Sequence, residues 1–262
     1  MNYSQIPVGF NCIDVELIES DAGGMWFPMV DFVMRDHIRS ARTWESEVGC
    51  VLRELLSSDP SVFLDVGANV GYFSRLVARS FPKTVVHAFE PHPLTYQVLR
   101  MNTWEFGDQI QTWPLALSNH RGTVALSTSP NNLGDTKGVR SRDALRASVV
   151  APSISFDELL ADICPDVVKI DVQGAEMAVL QGMKSAIRRS PQIRIVMEFS
   201  PGLLQAEGVD PRAALGSLRE FGFDLNLIRP NALYSAGDSE IIEFCRSAGP
   251  MGQANLLLAA KL

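Results

Sequence analysis

Residues 63–74 read FLDVGANVGYFS. An apolar run ending in an acid leads into two glycines four apart, and apolar residues at helical spacing follow. A buried strand, a glycine turn and a helix in that order predict the first unit of an open parallel sheet. Gly67 lets the chain turn sharply out of the strand, and Gly71 lets the next helix approach without a Cβ in the way. In such sheets ligands settle at the carboxyl ends of the strands, beside the point where strand order reverses, so residues 65–71 are expected to face a ligand.

The same rhythm continues along the chain. TVVHAFEP (84–91) reads as a buried strand, LTYQVLRMNTWE (94–105) as a helix, QTWPLALS (111–118) and VVKIDVQ (167–173) as strands, and AEMAVLQGMKSAIRR (175–189) as a helix. IRIVMEFS, PRAALGSLREFG and FDLNLIRP then read as strand, helix and strand, and ANLLLAAKL as a last strand, antiparallel at or near an edge. Nearly continuous apolar strands alternating with amphipathic helices predict an α/β fold with a mostly parallel, doubly wound sheet covered on both faces. Residues 1–60 read as a strand and helix cap packed over the site of a 61–262 core, too short and apolar to stand alone. Residues 119–150, rich in turn formers, predict an inserted hairpin and loop.

The chain has 262 residues, 46% hydrophobic and 20% charged, with a formal charge of -7. That length suits one domain, and the acidic balance without a dense Lys/Arg block argues against nucleic acid as a partner. The most basic stretch, Arg35 to Arg42, carries Asp36 and reads as a solvated helix face. The four cysteines are widely separated, which removes the usual zinc and dithiol spacings and leaves reduced thiols. MNYSQIPVGFNC lacks a basic start and apolar run, and no segment approaches a membrane span of about 18 residues. A cytoplasmic protein without a membrane partner is expected.

Glu90 arrives 19 residues after Gly71 at the end of the second strand. A carboxylate there can accept both hydroxyl protons of a ribose, which points to adenosine. A pyrophosphate-binding turn needs a middle glycine, and Asn69 stands in its place. Asp65 adds a negative charge that disfavours pyrophosphate and suits the ammonium and sulfonium of S-adenosylmethionine. A nicotinamide-dependent oxidoreductase on the same sheet, or a binding protein without catalysis, are the competing classes.

FLDVGANVGYFS, HAFEPHPLTYQVLRMN, PLALSNHRGTVAL, NLGD and above all VVKIDVQGAEMAVLQGM occur in the order of the FkbM-type methyltransferases, which the chain resembles over roughly residues 60–200. The family commonly has Glu where Gln173 stands here. The resemblance implies a Rossmann-like class I methyltransferase fold and transfer of a methyl from S-adenosylmethionine, mostly to a hydroxyl, with nitrogen as the other acceptor type. It implies that Asp65, Gly67, Asn69 and Gly71, with Ala68 among them, line the methionine portion. It also implies that Glu90, followed by Pro91, holds the ribose and that Leu115 and Ala116 flank adenine. His92, two residues past the ribose acid, is a further candidate at adenine or a surface histidine.

Transfer to a hydroxyl needs something to take its proton. Asp171 and Glu198 close two strands that adjacent pairing would bring together, Asp171 also lying within reach of the cofactor. One reading makes Asp171, or a histidine, His37 or His120, the base. Another has Asp171 and Glu198 hold Mg2+ with waters. A third makes these acids partners of Lys169, which faces the same way as Asp171. Glu176 reads as a helix-dipole partner, and Trp44 and Glu45 as a core tryptophan beside a solvated acid, with a role toward ligand also open. Trp26, Phe27, Trp44 and Arg140 are candidates for the acceptor pocket, and NNLGDTKG for a lid or a passive turn. The acceptor is expected to be a small-molecule hydroxyl, on a sugar or secondary metabolite.

Overall fold

The computed structural model describes residues 3–8, 11–57, 61–129, 132–138 and 149–260. Arg140 and the stretch 139–148 lie outside the described residues, and so does the first Asn of NNLGDTKG. Three antiparallel strands open the chain, β1 (Tyr3–Val8), β2 (Asn11–Ser20) and β3 (Gly23–Pro28), followed by α1 (Phe32–Ala41) and α2 (Ser46–Leu55). The sequence expectation of one strand and a helix here is therefore corrected to a small sheet and two helices. Asp31 starts α1 by accepting the Met34 N–H at 3.2 Å, and Arg42 ends it in the left-handed region.

The core then runs β4 (Val62–Val66), α3 (Tyr72–Ser80), β5 (Val85–Phe89), α4 (Pro93–Thr103) and β6 (Ile110–Trp113). Pro114 lacks an N–H for a ladder, and the predicted strand 111–118 breaks there. Its second half becomes β7 (Ala116–Leu117), which joins β8 (Gly122–Ser129), β9 (Asn132–Gly138) and β10 (Val149–Ile154) in a separate sheet ordered β7-β10-β8-β9. α5 (Phe156–Leu159) and β11 (Val167–Ile170) follow. The predicted helix 175–189 is two helices, α6 (Glu176–Gly182) and α7 (Lys184–Arg189), divided at Met183. Gly182 there lies so close to the Ser118 carbonyl that a Cβ would sit 1.9 Å from it.

The chain continues through β12 (Arg194–Phe199), α8 (Pro201–Ala206), α9 (Pro211–Glu220), β13 (Phe223–Arg229), β14 (Ala232–Ser235), α10 (Asp238–Ser247) and β15 (Ala254–Ala260). The main sheet is ordered β14-β13-β15-β12-β11-β4-β5-β6, with β12, β11, β4, β5 and β6 parallel. β15 is antiparallel, as its sequence suggested, yet it lies inside the sheet between β12 and β13 rather than at or near an edge. Leu256 and Leu258 enter one core and Leu257 the other, so burial on both faces accounts for its apolar run 256–260.

Two apolar cores cover the two faces of this sheet. One packs α6, α7, α9 and α10 against residues such as Leu64, Val168, Ile170 and Met197. The other packs α2, α3 and α4, together with β2, β3 and α1, against Phe63, Val86, Ala88 and Val167. Alternate residues of each central strand thus enter opposite cores. Trp26 and Phe27 belong to this second core, where Asn102 clamps the Trp26 backbone through its side-chain amide at 2.7 and 2.9 Å. From β4 the chain passes to β5 and β6 on one side and returns with β11 on the other, so strand order reverses between β4 and β11. The candidate site lies at that reversal.

Candidate active site

Three backbone positions shape the turn after β4. Gly67 adopts φ +84°, and a Cβ there would lie 1.9 Å from the Asp171 carbonyl oxygen, so glycine is what lets β4 and the end of β11 approach. Asn69 is left-handed at φ 50°, which asparagine tolerates better than most residues. Gly71, at φ +89°, abuts Leu99 of α4, where a Cβ would be 2.6 Å from Cδ1. The Gly67 and Ala68 N–H groups both donate to the Phe89 carbonyl, at 3.0 and 2.9 Å, which ties the turn to the end of β5.

Glu90 completes this frame. Its Oε2 accepts the Asn69 N–H at 3.0 Å and its Oε1 accepts the His92 N–H at 2.8 Å. Each carboxylate oxygen retains a lone pair, and the side chain is held in one orientation. Burial raises its pKa to about 7, against the lowering effect of those two N–H groups.

Above the turn is a cavity of about 330 Å³. Gly67, Ala68, Asn69, Glu90, Pro91, Leu115, Ala116, Asp171 and Glu198 all stand on its wall. Other sequence candidates are placed elsewhere among the described residues. Asp65 is buried beneath the turn and accepts the Ser74 hydroxyl at 2.6 Å; burial raises its pKa, opposed by the charge of Lys169. Gly71 packs helix against helix. His92 is buried at the start of α4 with Nδ1 3.1 Å from the Thr95 hydroxyl, and burial lowers its pKa. His37 is exposed and meets the Trp44 ring edge-on at 5.3 Å, while exposed His120 has Nδ1 2.7 Å from Asn119 Oδ1.

The N-terminal segment supplies part of the wall through Val33, Met34, Trp44 and Glu45, and β8 supplies Val124 and Leu126. The Trp44 N–H donates to the Tyr72 hydroxyl at 3.0 Å, which docks this segment on α3. Glu45 is held at φ 42°, and its Oε2 is buried without a hydrogen-bond partner. Burial raises its pKa to about 7, with Lys169 acting in the opposite direction. The sequence left a ligand role open for Trp44 and Glu45, and the expectation of a solvated acid at Glu45 is corrected, because α1 and α2 fold back over strands far along the chain and bury its Oε2 against the cavity.

Acids dominate the wall. Asp171 Oδ2 pairs with Lys169 Nζ at 3.0 Å, and its Oδ1 accepts from Gln173 Nε2 at 2.8 Å. Glu198 Oε2 accepts from the same nitrogen at 2.8 Å, and Oε1 accepts from Gln253 Nε2 at 2.5 Å. Burial, then the charges of Asp171, Glu45 and Glu176, push the Glu198 pKa well above the usual carboxylate range. Burial alone would lower the Lys169 pKa, but Asp171, Glu45 and Asp65 together carry it above that of an ordinary lysine. Glu176 stands off the wall, where its Oε1 accepts the Gly174 N–H at 2.9 Å and burial raises its pKa to about 7.

Glu45, Glu90, Asp171 and Glu198 thus face the cavity, with Lys169 as its cation among the described lining residues. Four acids against one lysine, a pinned ribose-type carboxyl and the apolar Leu115 fit a cationic adenosine ligand, whose charge favours the ionised form of the raised acids. They fit Mg2+ poorly. The two acids assigned to the ion both receive a hydrogen from Gln173, and no group of three metal-ligating side chains occurs among the described residues. Mg2+ needs near-octahedral oxygen coordination, which these donor-occupied oxygens do not offer.

The raised acids make stability depend on pH. Between the ordinary value of 4.5 and about 7, folded Glu45, Glu90 and Glu176 retain protons that the unfolded chain has lost. Their contribution is complete below 4.5 and disappears as pH rises through about 7. The ligand-free protein is expected to melt several degrees lower at pH 8 than at pH 5.5, by calorimetry. A melting temperature that rises over this interval would contradict the assignment.

Several proteins resemble this chain in sequence or in fold. Hexuronic acid methyltransferase AglP of Haloferax volcanii is 28% identical over 197 residues, covering 74% of this chain and 75% of that protein. 31-O-demethyl-FK506 methyltransferase FkbM of Streptomyces tacrolimicus is 26% identical over 237 residues, covering 76% and 86%. 2-O-methyltransferase NoeI of Sinorhizobium fredii is 28% identical over 185 residues, covering 64% and 74%. Among solved structures, an S-adenosylmethionine-dependent O-methyltransferase of Thermotoga maritima superposes with a TM-score of 0.48 at 13% identity, covering 99% of this chain and 86% of that one. Among the described residues no helix is long and apolar enough to cross a membrane. The model of the methyltransferase FkbM domain matches residues 65–225, more than half of the chain and the whole stretch that builds the turn and both acid-bearing strand ends, so the chain belongs to the FkbM family of S-adenosylmethionine-dependent methyltransferases.

Proposed function

We propose that this enzyme methylates a hydroxyl of a small molecule, a sugar or a secondary metabolite, with Asp171 taking the hydroxyl proton. The observation that carries this reading is the meeting of Glu90 and Asp171 on one cavity across the Gly67 turn. The relatives named for hexuronic acid, 31-O-demethyl-FK506 and 2-O-methylation support oxygen as the acceptor. When bound, S-adenosylmethionine supplies an electrophilic methyl carbon attached to a positively charged sulfur.

The chain's own residues do the rest. Glu90 accepts the ribose hydroxyls, Gly67, Ala68 and Asn69 border the methionine portion, and Pro91, Leu115 and Ala116 flank the base. The Asp171 side chain is 22% exposed and reachable, and each of its oxygens keeps a second lone pair, whereas Glu198 is 4% exposed. Asp171 therefore receives the proton at a carboxylate oxygen while Lys169 holds that carboxylate in place. The segment of α1 and α2 acts as a cap, with Val33, Met34 and Trp44 on the cavity wall excluding water from the acceptor side. Incubation with labelled S-adenosylmethionine and an extract of the source cells should yield a labelled ether; label on nitrogen, or none, would overturn the reading.

Glu90→Gln is expected to weaken S-adenosylhomocysteine binding by about 10- to 100-fold, since it removes charge-assisted bonds worth about 1.5–3 kcal/mol. Calorimetric titration measures it. Unchanged affinity would remove Glu90 from the ribose site.

A further inference from the structure

Gln173 has an unusual place in this cavity. Its backbone is left-handed at φ 54°, a conformation that costs a non-glycine residue about 1–2 kcal/mol. Glu45 and Asn69, also left-handed, share the same wall. Strain concentrated at one site is retained when the surrounding contacts require it. For Gln173 those contacts are explicit. Glu176 holds the following Gly174 N–H, and the Gln173 side chain reaches two acids at the ends of adjacent strands.

The Gln173 amide nitrogen is 2.8 Å from Asp171 Oδ1 and 2.8 Å from Glu198 Oε2. An NH₂ group has two hydrogens and no acceptor capacity, so each hydrogen goes to one carboxylate. Lys169 meets the other Asp171 oxygen and Gln253 the other Glu198 oxygen. All four oxygens of the pair thereby face nitrogen donors. A divalent ion shared by these acids would stand where the Gln173 nitrogen is, between an oxygen of each.

We propose that the Gln173 carboxamide bridges Asp171 and Glu198 in the place of a cation, making Gln173 the positioning residue that aims Asp171 and frees this enzyme from a divalent metal. The proposal deepens the reading of Asp171 as proton acceptor and rests on it. A neutral donor can hold the two acids at fixed separation while each Asp171 oxygen keeps a second lone pair for a substrate hydroxyl. A glutamate at the same position would set three carboxylates around one point, repelling one another unless a hard cation joins them.

The test uses the full chain, its Gln173→Glu and Gln173→Leu variants, and Mn2+ as the metal probe. Titration of Mn2+ followed by its electron paramagnetic resonance signal should show at least about tenfold tighter binding to Gln173→Glu than to the unsubstituted protein, with the gain lost on adding Asp171→Asn. Label incorporation by the unsubstituted protein should be the same in chelator and in Mg2+, and that by Gln173→Glu should need the metal. Gln173→Leu should lower kcat about 10- to 100-fold with S-adenosylhomocysteine affinity unchanged, a split that general loss of structure would not give. Equal Mn2+ affinity in the glutamate variant, loss of unsubstituted activity in chelator with rescue by Mg2+, or a full rate in Gln173→Leu would each overturn the proposal. The Mn2+ titration needs no turnover, so failure to methylate any hydroxyl would overturn the proposed function while leaving the bridge to be judged by metal binding. Should Gln173→Glu fail to fold, the kcat split of Gln173→Leu decides.

Discussion

Asp171→Asn should slow methyl transfer by about 10²- to 10⁴-fold while S-adenosylhomocysteine binds nearly as well as before, the range expected for loss of a positioned proton acceptor. Asparagine preserves the shape of the side chain and removes its basicity. One amide oxygen can still face Lys169, but the NH₂ group must then face Gln173, so a donor meets a donor where a carboxylate oxygen stood. A modest fall in melting temperature is expected alongside the kinetic loss. Binding by calorimetry and rate by label incorporation separate the two effects. A rate preserved to within a few-fold would show that the proton goes elsewhere, and Glu198 would be the next residue to replace.

Gly67→Ala should have the largest effect on stability. The added methyl would stand 1.9 Å from the Asp171 carbonyl oxygen and 2.9 Å from its carbon, both backbone atoms with no freedom to swing away. The φ of +84° adds the left-handed penalty of about 1–2 kcal/mol. Separating β4 from the end of β11 would disturb the centre of the sheet, so a loss on the order of 4 kcal/mol or more is expected from urea denaturation, a large part of a typical total of about 5–15. Gly216→Ala provides the contrast. Gly216 lies within α9 with nothing within 4 Å of an added Cβ, and alanine there should stabilise by about 0.5–1 kcal/mol. Equal effects of the two substitutions would show that the close approach at Gly67 has no energetic weight.

The contrast between these glycines also shows where sequence reading reaches its limit. Both are single glycines that follow an apolar residue, Val66 and Leu215. The strand and helix rhythm around Gly67 marks it as a corner, but the Asp171 carbonyl that makes the corner intolerant comes from a strand more than a hundred residues later. Gln173 has the same character. Its neighbours Asp171 and Gly174 are visible in the sequence, whereas Glu198 reaches it because β11 and β12 pair in parallel. Gln253 reaches Glu198 because β15 enters the sheet beside β12, a placement its apolar composition shares with any buried strand.

By itself, the sequence determined the alternation of strands and helices, the glycine turn after the first core strand and the acid at the end of the second. These are local: burial on both faces demands continuous apolar strands, and a tight corner demands residues tolerant of positive φ. Tertiary structure alone decided that Trp44 and Glu45 reach the cavity, that His37 and His120 stand away from its wall, and that one amide joins two acids. Each of those depends on contacts between segments distant along the chain, where side-chain type constrains what can meet and only the packing of the sheet and its cap determines what does.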